Sequence, residues 1–180
     1  MTYASELTAA MSWLGQKEDT IFIGQQVCYP GNALFKTLEG VPIEKRIELP
    51  VAEEMQMGMS IGMAMTGKTV ISIYPRFDFL LCAMNQLVNH LDKDLYKMPG
   101  RVIIRTCVGS TKPMHPGAQH CGNYVAGLTM MLRNTRIIML REDSDILGAY
   151  QSVYNGKNSD RYCGQWRNSI VVEFGDYYGS

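Results

Sequence analysis

The stretch that decides the fold is PVAEEMQMGMSIGMAMTGKTVISIY, residues 50–74. Its first half has helical character from about Ala52 to Met65, starting after Pro50 and ending before Gly67. Its last six residues, Thr69–Tyr74, are rich in β-branched side chains and predict a strand. A helix feeding directly into a short apolar strand is the repeating unit of an α/β protein, and the same alternation runs outward in both directions. Upstream, an amphipathic helix over about Tyr3–Leu14 precedes a strand at Thr20–Gly24, and Arg46–Leu49 forms a short strand. Downstream come an apolar helix over Phe79–Leu91, a strand at Val102–Arg105 and a long polar loop from Thr106 to Asn123. A helix near Val125–Leu132, a strand at Arg136–Leu140, a helix over Ser144–Tyr154, a surface loop over Gly156–Asn168 and a strand at Ser169–Glu173 complete the series. The expected fold class is α/β, one domain over residues 1–180, with a mostly parallel sheet covered by helices on both faces.

Within the helix, Gly58 and Gly62 lie four apart and share one face. Each interior glycine costs about 1 kcal/mol against alanine, so two together point to a close approach by another helix. Methionines at 55, 57, 59, 63 and 65, five of the thirteen in the chain, surround that face and suit either a core or an adaptable contact surface.

Composition narrows the function. The 180 residues, 46% hydrophobic, are enough for one substantial core. Seventeen basic and seventeen acidic side chains balance, and no Lys/Arg cluster interleaves with aromatics, which excludes the electrostatic footprint of a nucleic-acid binder. The first fifteen residues lack the basic start of a secretory signal, and the weakly polar run Met55–Thr66 is too short to span a bilayer. Five scattered cysteines without a Cys-x-x-Cys pair read as reduced thiols of a cytoplasmic protein. Cys107, His115, His120 and Cys121 lack the spacing that closes a zinc site.

Glu53, followed after four residues by Gly58-Met59-Ser60-Ile61-Gly62, resembles the Glu-x4-Gly-apolar-x-x-Gly signature of the pyrimidine-binding domain of thiamine-diphosphate enzymes. The wider chain is similar to the β-subunit of the thiamine-dependent component of 2-oxo acid dehydrogenases. The likeness runs in order through FDFLLCAMNQLVN (77–89), RVIIRTCVGS (101–110), GAQHCGNYVAGL (117–128) and NTRIIMLREDSDILGAYQSV (134–153).

The resemblance implies a transketolase-like fold and three site residues. Glu53 hydrogen-bonds a ring nitrogen of the aminopyrimidine and shifts it toward the imino tautomer that takes the thiazolium proton. Burial among Met and Leu disfavours a charged carboxyl, which lets it share a proton with the ring near neutrality. Glu54, about 100° further round the helix, points elsewhere. Phe79 stacks on the pyrimidine, and His120 faces the reactive carbon and trades protons with substrate. His115 has no counterpart in the family, and His90, in an apolar helix, reads as a packed or capped residue.

The diphosphate is held in the family through Mg²⁺ by a Gly-Asp-Gly motif with a downstream Asn, which this chain lacks; Gly175-Asp176 has no second glycine. The resemblance therefore implies a partner, a diphosphate-binding α-type subunit, in a heterotetramer or other dimer-based assembly. The expected activity is decarboxylation or carbon–carbon bond chemistry on a 2-oxo acid or ketose. Two alternatives stay open: the C-terminal half of a split transketolase, and a non-catalytic regulatory subunit. Two features depart from the family pattern. Gly24-Gln25-Gln26-Val27 stands where the family carries Gly-Glu-(Glu/Asp)-Val, which removes charge near the site. The chain also stops at Ser180, where the family β-subunit continues into a further domain, so transfer to a lipoyl carrier is not implied.

Overall fold

A computed structural model describes residues 2–93, 98–111, 115–156 and 167–179. Six strands, β1 (Thr20–Gly24), β2 (Arg46–Glu48), β3 (Thr69–Tyr74), β4 (Arg101–Val108), β5 (Thr135–Met139) and β6 (Asn168–Phe174), form one sheet. Every pairing is parallel, in the order β2-β1-β3-β4-β6-β5. The α-helices are α1 (Tyr3–Gly15), α2 (Ala33–Lys36), α3 (Glu53–Met65), α4 (Phe77–Leu80), α5 (Val125–Met131) and α6 (Ile146–Asn155).

The sheet is buried on both faces because successive strand residues feed two separate cores. Phe22, Ile71, Ile73, Ile103 and Val171 pack with Leu7, Met11 and Leu14 of α1 and with Ile146, Tyr150 and Val153 of α6. Val102, Ile104, Ile170 and Val172 face the other way, onto Met57, Ile61 and Ala64 of α3, onto Phe77 and Leu80 of α4, and onto Leu128 of α5. The expected α/β architecture is therefore the observed one.

Three local expectations are corrected. The helix expected over Phe79–Leu91 is broken: it is α-helical over Phe77–Leu80, a tight 3₁₀ turn over Leu81–Ala83 and a wide π turn over Gln86–Leu91. The long loop starts later than expected, because Thr106, Cys107 and Val108 are paired with Val172, Glu173 and Phe174 inside β4. Their polar side chains suggested a loop, yet strand pairing satisfies the backbone there and β4 lies in the middle of the sheet. The short helix α2 was not expected; Asn32 caps it by accepting from the Phe35 N–H at 2.8 Å. The surface loop expected over Gly156–Asn168 lies mostly outside the described residues.

Chain order fixes where a ligand crevice opens. From β1 the chain moves to β2 on one side, then crosses back to β3 on the other. The carboxyl ends of β1 and β3 thus form a topological switch point, the place where open α/β sheets bind ligands.

Candidate active site

Three segments meet at this end of the sheet: residues 24–28 at the end of β1, the start of α3, and the end of β3. Gly24 has φ +156°, and a Cβ there would lie 2.4 Å from the Ile73 carbonyl, so only glycine lets the end of β1 pass this close to β3. The next turn is held by Glu48, whose carboxylate accepts from the backbone N–H groups of Gln26, Val27 and Cys28 at 2.6–2.8 Å. Gln26 adopts a left-handed conformation (φ 56°), and its side-chain oxygen accepts from Asn32.

α3 is seated on β3 by buried polar contacts. Gln56 donates to Ser72 Oγ at 3.1 Å and to the Ile73 carbonyl at 2.9 Å, and Ser60 lies 3.0 Å from the same serine hydroxyl. Tyr74 donates to the backbone carbonyl of Glu53 at 3.3 Å. Burial pushes the Tyr74 phenol up, so it stays a neutral donor. These bonds fix both the rotation and the height of α3, and with them the position of Glu53 at its first turn.

Glu53 is 9% exposed, and its Oε1 accepts from Gln25 Nε2 at 3.2 Å. No other hydrogen bond reaches this carboxylate among the described residues. It lines a groove of about 800 Å³ together with Ala52, Glu54, Met55, Gly58, Met59, Cys82 and Gln86. Glu54 is exposed and accepts from Asn85 Nδ2 at 3.0 Å. Both neighbouring carboxylates border the groove, Glu53 buried and Glu54 exposed.

The glycine face divides. A Cβ on Gly58 would meet the Gln86 side chain at 3.9 Å, whereas one on Gly62 would meet nothing within 4 Å. The methionines divide too: Met57 is fully buried, while Met55 and Met65 are exposed.

Phe79 and His120 come together in an edge-to-face contact with ring centroids 5.6 Å apart. Neither lines the groove itself, although Phe79 lies one turn before Cys82, which does. The segment carrying His120 is seated by Asp78, the residue before Phe79. Its carboxylate accepts from the Gly122 N–H at 3.2 Å and from the Tyr124 hydroxyl at 2.8 Å, and that bond pushes the Tyr124 phenol up. Phe77 adds an edge contact to Tyr124. Gly109 makes the approach possible, since a Cβ there would lie 1.9 Å from the His120 carbonyl. Among the described residues, His120 Nδ1 is buried with no hydrogen-bond partner.

The remaining candidates are settled by their contacts. His115 is exposed, with Nδ1 accepting from the Gly117 N–H. Burial pushes the Cys107 thiol well up, which makes it an inert core group. Asp176, of the lone Gly-Asp pair, accepts from the Thr111 N–H at 2.8 Å and from the Ser110 hydroxyl at 3.1 Å. No group of three or more metal-ligating side chains gathers among the described residues, and no helix among them is long and apolar enough to cross a membrane. Gln25 and Asp78 were missed as site-building residues. Gln25 was visible only as a departure from an acidic pattern, and nothing in the sequence marked Asp78.

No protein-family model matches the chain. It is 26% identical over 168 residues to the "Pyruvate dehydrogenase E1 component subunit beta" of Rhizobium meliloti (strain 1021), covering 88% of this chain. That match spans only 35% of the relative's length. Among solved structures it superposes on a "Split gene transketolase, inactive beta4 tetramer" with a TM-score of 0.66 at 14% identity, covering 94% of this chain and 49% of that one. The resemblance read from the sequence is thereby borne out: this chain has a transketolase-like α/β fold and is similar in sequence to the β-subunit of the pyruvate dehydrogenase E1 component.

Proposed function

We propose that this chain, as one domain, is the pyrimidine-binding half of a two-chain thiamine-diphosphate enzyme acting on a 2-oxo acid or ketose. The observation that carries the reading is the groove at the first turn of α3. It presents a buried carboxylate, and its lining holds two acids, two methionines and no Lys or Arg. Such a lining suits a flat, basic heteroaromatic ring and repels a diphosphate, whose Mg²⁺ site then belongs to a diphosphate-binding partner subunit.

The cofactor, when bound, supplies a thiazolium carbon able to add to a carbonyl and store the electron pair released by bond cleavage. This chain's contribution is proton handling and orientation. Glu53 holds a proton at the ring nitrogen through the oxygen not taken by Gln25. Phe79 offers a stacking face, and His120 gives or takes a proton at the substrate oxygen. The Gly62 side of α3, open in this chain, accepts the helix of an adjoining subunit in a heterotetramer or another dimer-based assembly. The four free cysteines among the described residues accord with a cytoplasmic setting.

A second reading, half of a split transketolase, draws support from the superposition and shares the same site. The two differ in substrate, so ketose phosphates and 2-oxo acids offered to the assembled enzyme separate them. The test of the function is calorimetry of thiamine diphosphate with Mg²⁺. The chain alone is expected to bind weakly. Co-expression with a chain carrying Gly-Asp-Gly and a downstream Asn is expected to create tight, metal-dependent binding. Tight metal-dependent binding by the isolated chain overturns the split-site reading, and a bound but inactive complex favours a regulatory subunit.

A further inference from the structure

Gln25 is the one side chain among the described residues that hydrogen-bonds the Glu53 carboxylate. Its backbone is held from both sides. Before it, Gly24 is pressed against the Ile73 carbonyl. After it, three consecutive N–H groups are gripped by Glu48, and Gln26 is tied to Asn32. A side chain on so determined a turn is aimed, because loss of its contact could not be recovered by moving the loop. Its chemistry is also one-sided. A side-chain amide nitrogen donates and never accepts, and it gives up no proton.

We infer that Gln25 is a positioning residue for Glu53: its amide donates to one carboxylate oxygen and holds it in place, which leaves the other oxygen as the proton-handling atom turned to the groove. This rests on the proposed thiamine function for its purpose, though not for its geometry. A glutamate at position 25 would behave differently. Two carboxyl groups at hydrogen-bond distance do not both ionise, so the pair would keep a proton between them.

The experiment therefore has one arm that needs no cofactor. Infrared difference spectra of the full chain at neutral pH compare the wild type with Gln25→Glu and with Gln25→Glu combined with Glu53→Gln. A protonated carboxyl band is expected in the single variant, and in neither of the others. Its absence from a folded Gln25→Glu chain shows that the side chains do not face one another and overturns the proposal. The wild-type chain supplies a check that needs no change at position 25: the ¹⁵N signal of the Gln25 side-chain amide is expected to move in Glu53→Ala, and an unmoved signal is equally fatal.

The second arm uses 4-amino-5-(hydroxymethyl)-2-methylpyrimidine, the ring half of the cofactor, as the probe. Gln25→Leu is expected to weaken its binding about tenfold, the loss expected for one hydrogen bond to a charged group. Unchanged binding by Gln25→Leu also counts against the proposal. With this arm run in the assembled two-chain complex, a wild-type complex that ignores the pyrimidine while the variant shows the carboxyl band removes the thiamine reading and leaves the Gln25–Glu53 pair standing.

Discussion

Glu53 and Glu54 carry the same side chain, yet one is buried against Gln25 and the other reaches outward to Asn85. If Glu53 exchanges the proton of the pyrimidine ring, Glu53→Gln keeps shape and hydrogen bonding but cannot exchange it. Deuterium exchange at the thiazolium carbon, followed by NMR in the assembled two-chain complex, is expected to slow by about 10²–10⁴-fold in Glu53→Gln. It should change little in Glu54→Gln. The reverse outcome would mean that the register is off by one residue. The choice of Glu53 could be read from its spacing to Gly58, because helical geometry alone separates neighbours by about 100°. What holds Glu53 could not. Gln25 is 28 positions away in sequence, and Asp78 clamps residues 44 and 46 positions further on. Such pairs have no local pattern; they appear only once the switch point has brought the strand ends together.

At the scale of elements, α3 shows both the reach and the limit of periodicity. Its ends follow from Pro50 and Gly67, and its inner face from the apolar spacing. The five methionines gave no sign of which would be core, and the structure places Met57 inside and Met55 and Met65 outside. The glycines were read as one groove, yet Gly58 faces Gln86 and Gly62 faces open space. That difference yields a test. Gly62→Ala adds a methyl group where nothing within the chain meets it and replaces the weaker helix former, a gain of about 1 kcal/mol. The midpoint of thermal unfolding of the isolated chain is expected to rise about 2–4 °C. If a partner helix packs on that face, the same change weakens assembly measured by sedimentation. A stabilised chain that assembles as before would show that Gly62 lies off the interface. The broken helix over residues 77–91 was invisible to the same reasoning, since apolar density is alike for α, 3₁₀ and π turns.

Across the whole molecule, a parallel sheet was implied by the alternation of elements, but neither the order of its strands nor the buried charge that ties the C-terminal segment to the middle of the sheet was. Arg105 of β4 and Glu173 of β6 are fully buried, joined at 2.6 Å through Nε and at 3.0 Å through a second guanidinium nitrogen. Tyr150 of α6 donates to the same carboxylate at 2.8 Å, and Tyr178 near the C-terminus donates to its other oxygen. Burial works against the Arg105 charge, but Glu173 outweighs it and holds the guanidinium well above its ordinary range. Burial, with Glu173 adding to it, pushes both phenols up. Both tyrosines are therefore neutral donors, and Arg105 keeps its charge. Glu173→Gln would leave that charge buried and uncompensated, and is expected to cost about 3–5 kcal/mol in urea unfolding. That is a large share of the total stability of a domain. Replacing both partners, Arg105→Met with Glu173→Leu, is expected to recover most of the loss, because the penalty belongs to the orphaned charge more than to the missing bond. A double variant as unstable as Glu173→Gln would instead assign the loss to the tyrosine hydroxyls, which would then have no carboxylate to meet. Both results are read from the unfolding midpoint at unchanged slope, so the comparison rests on the folded state's own contacts.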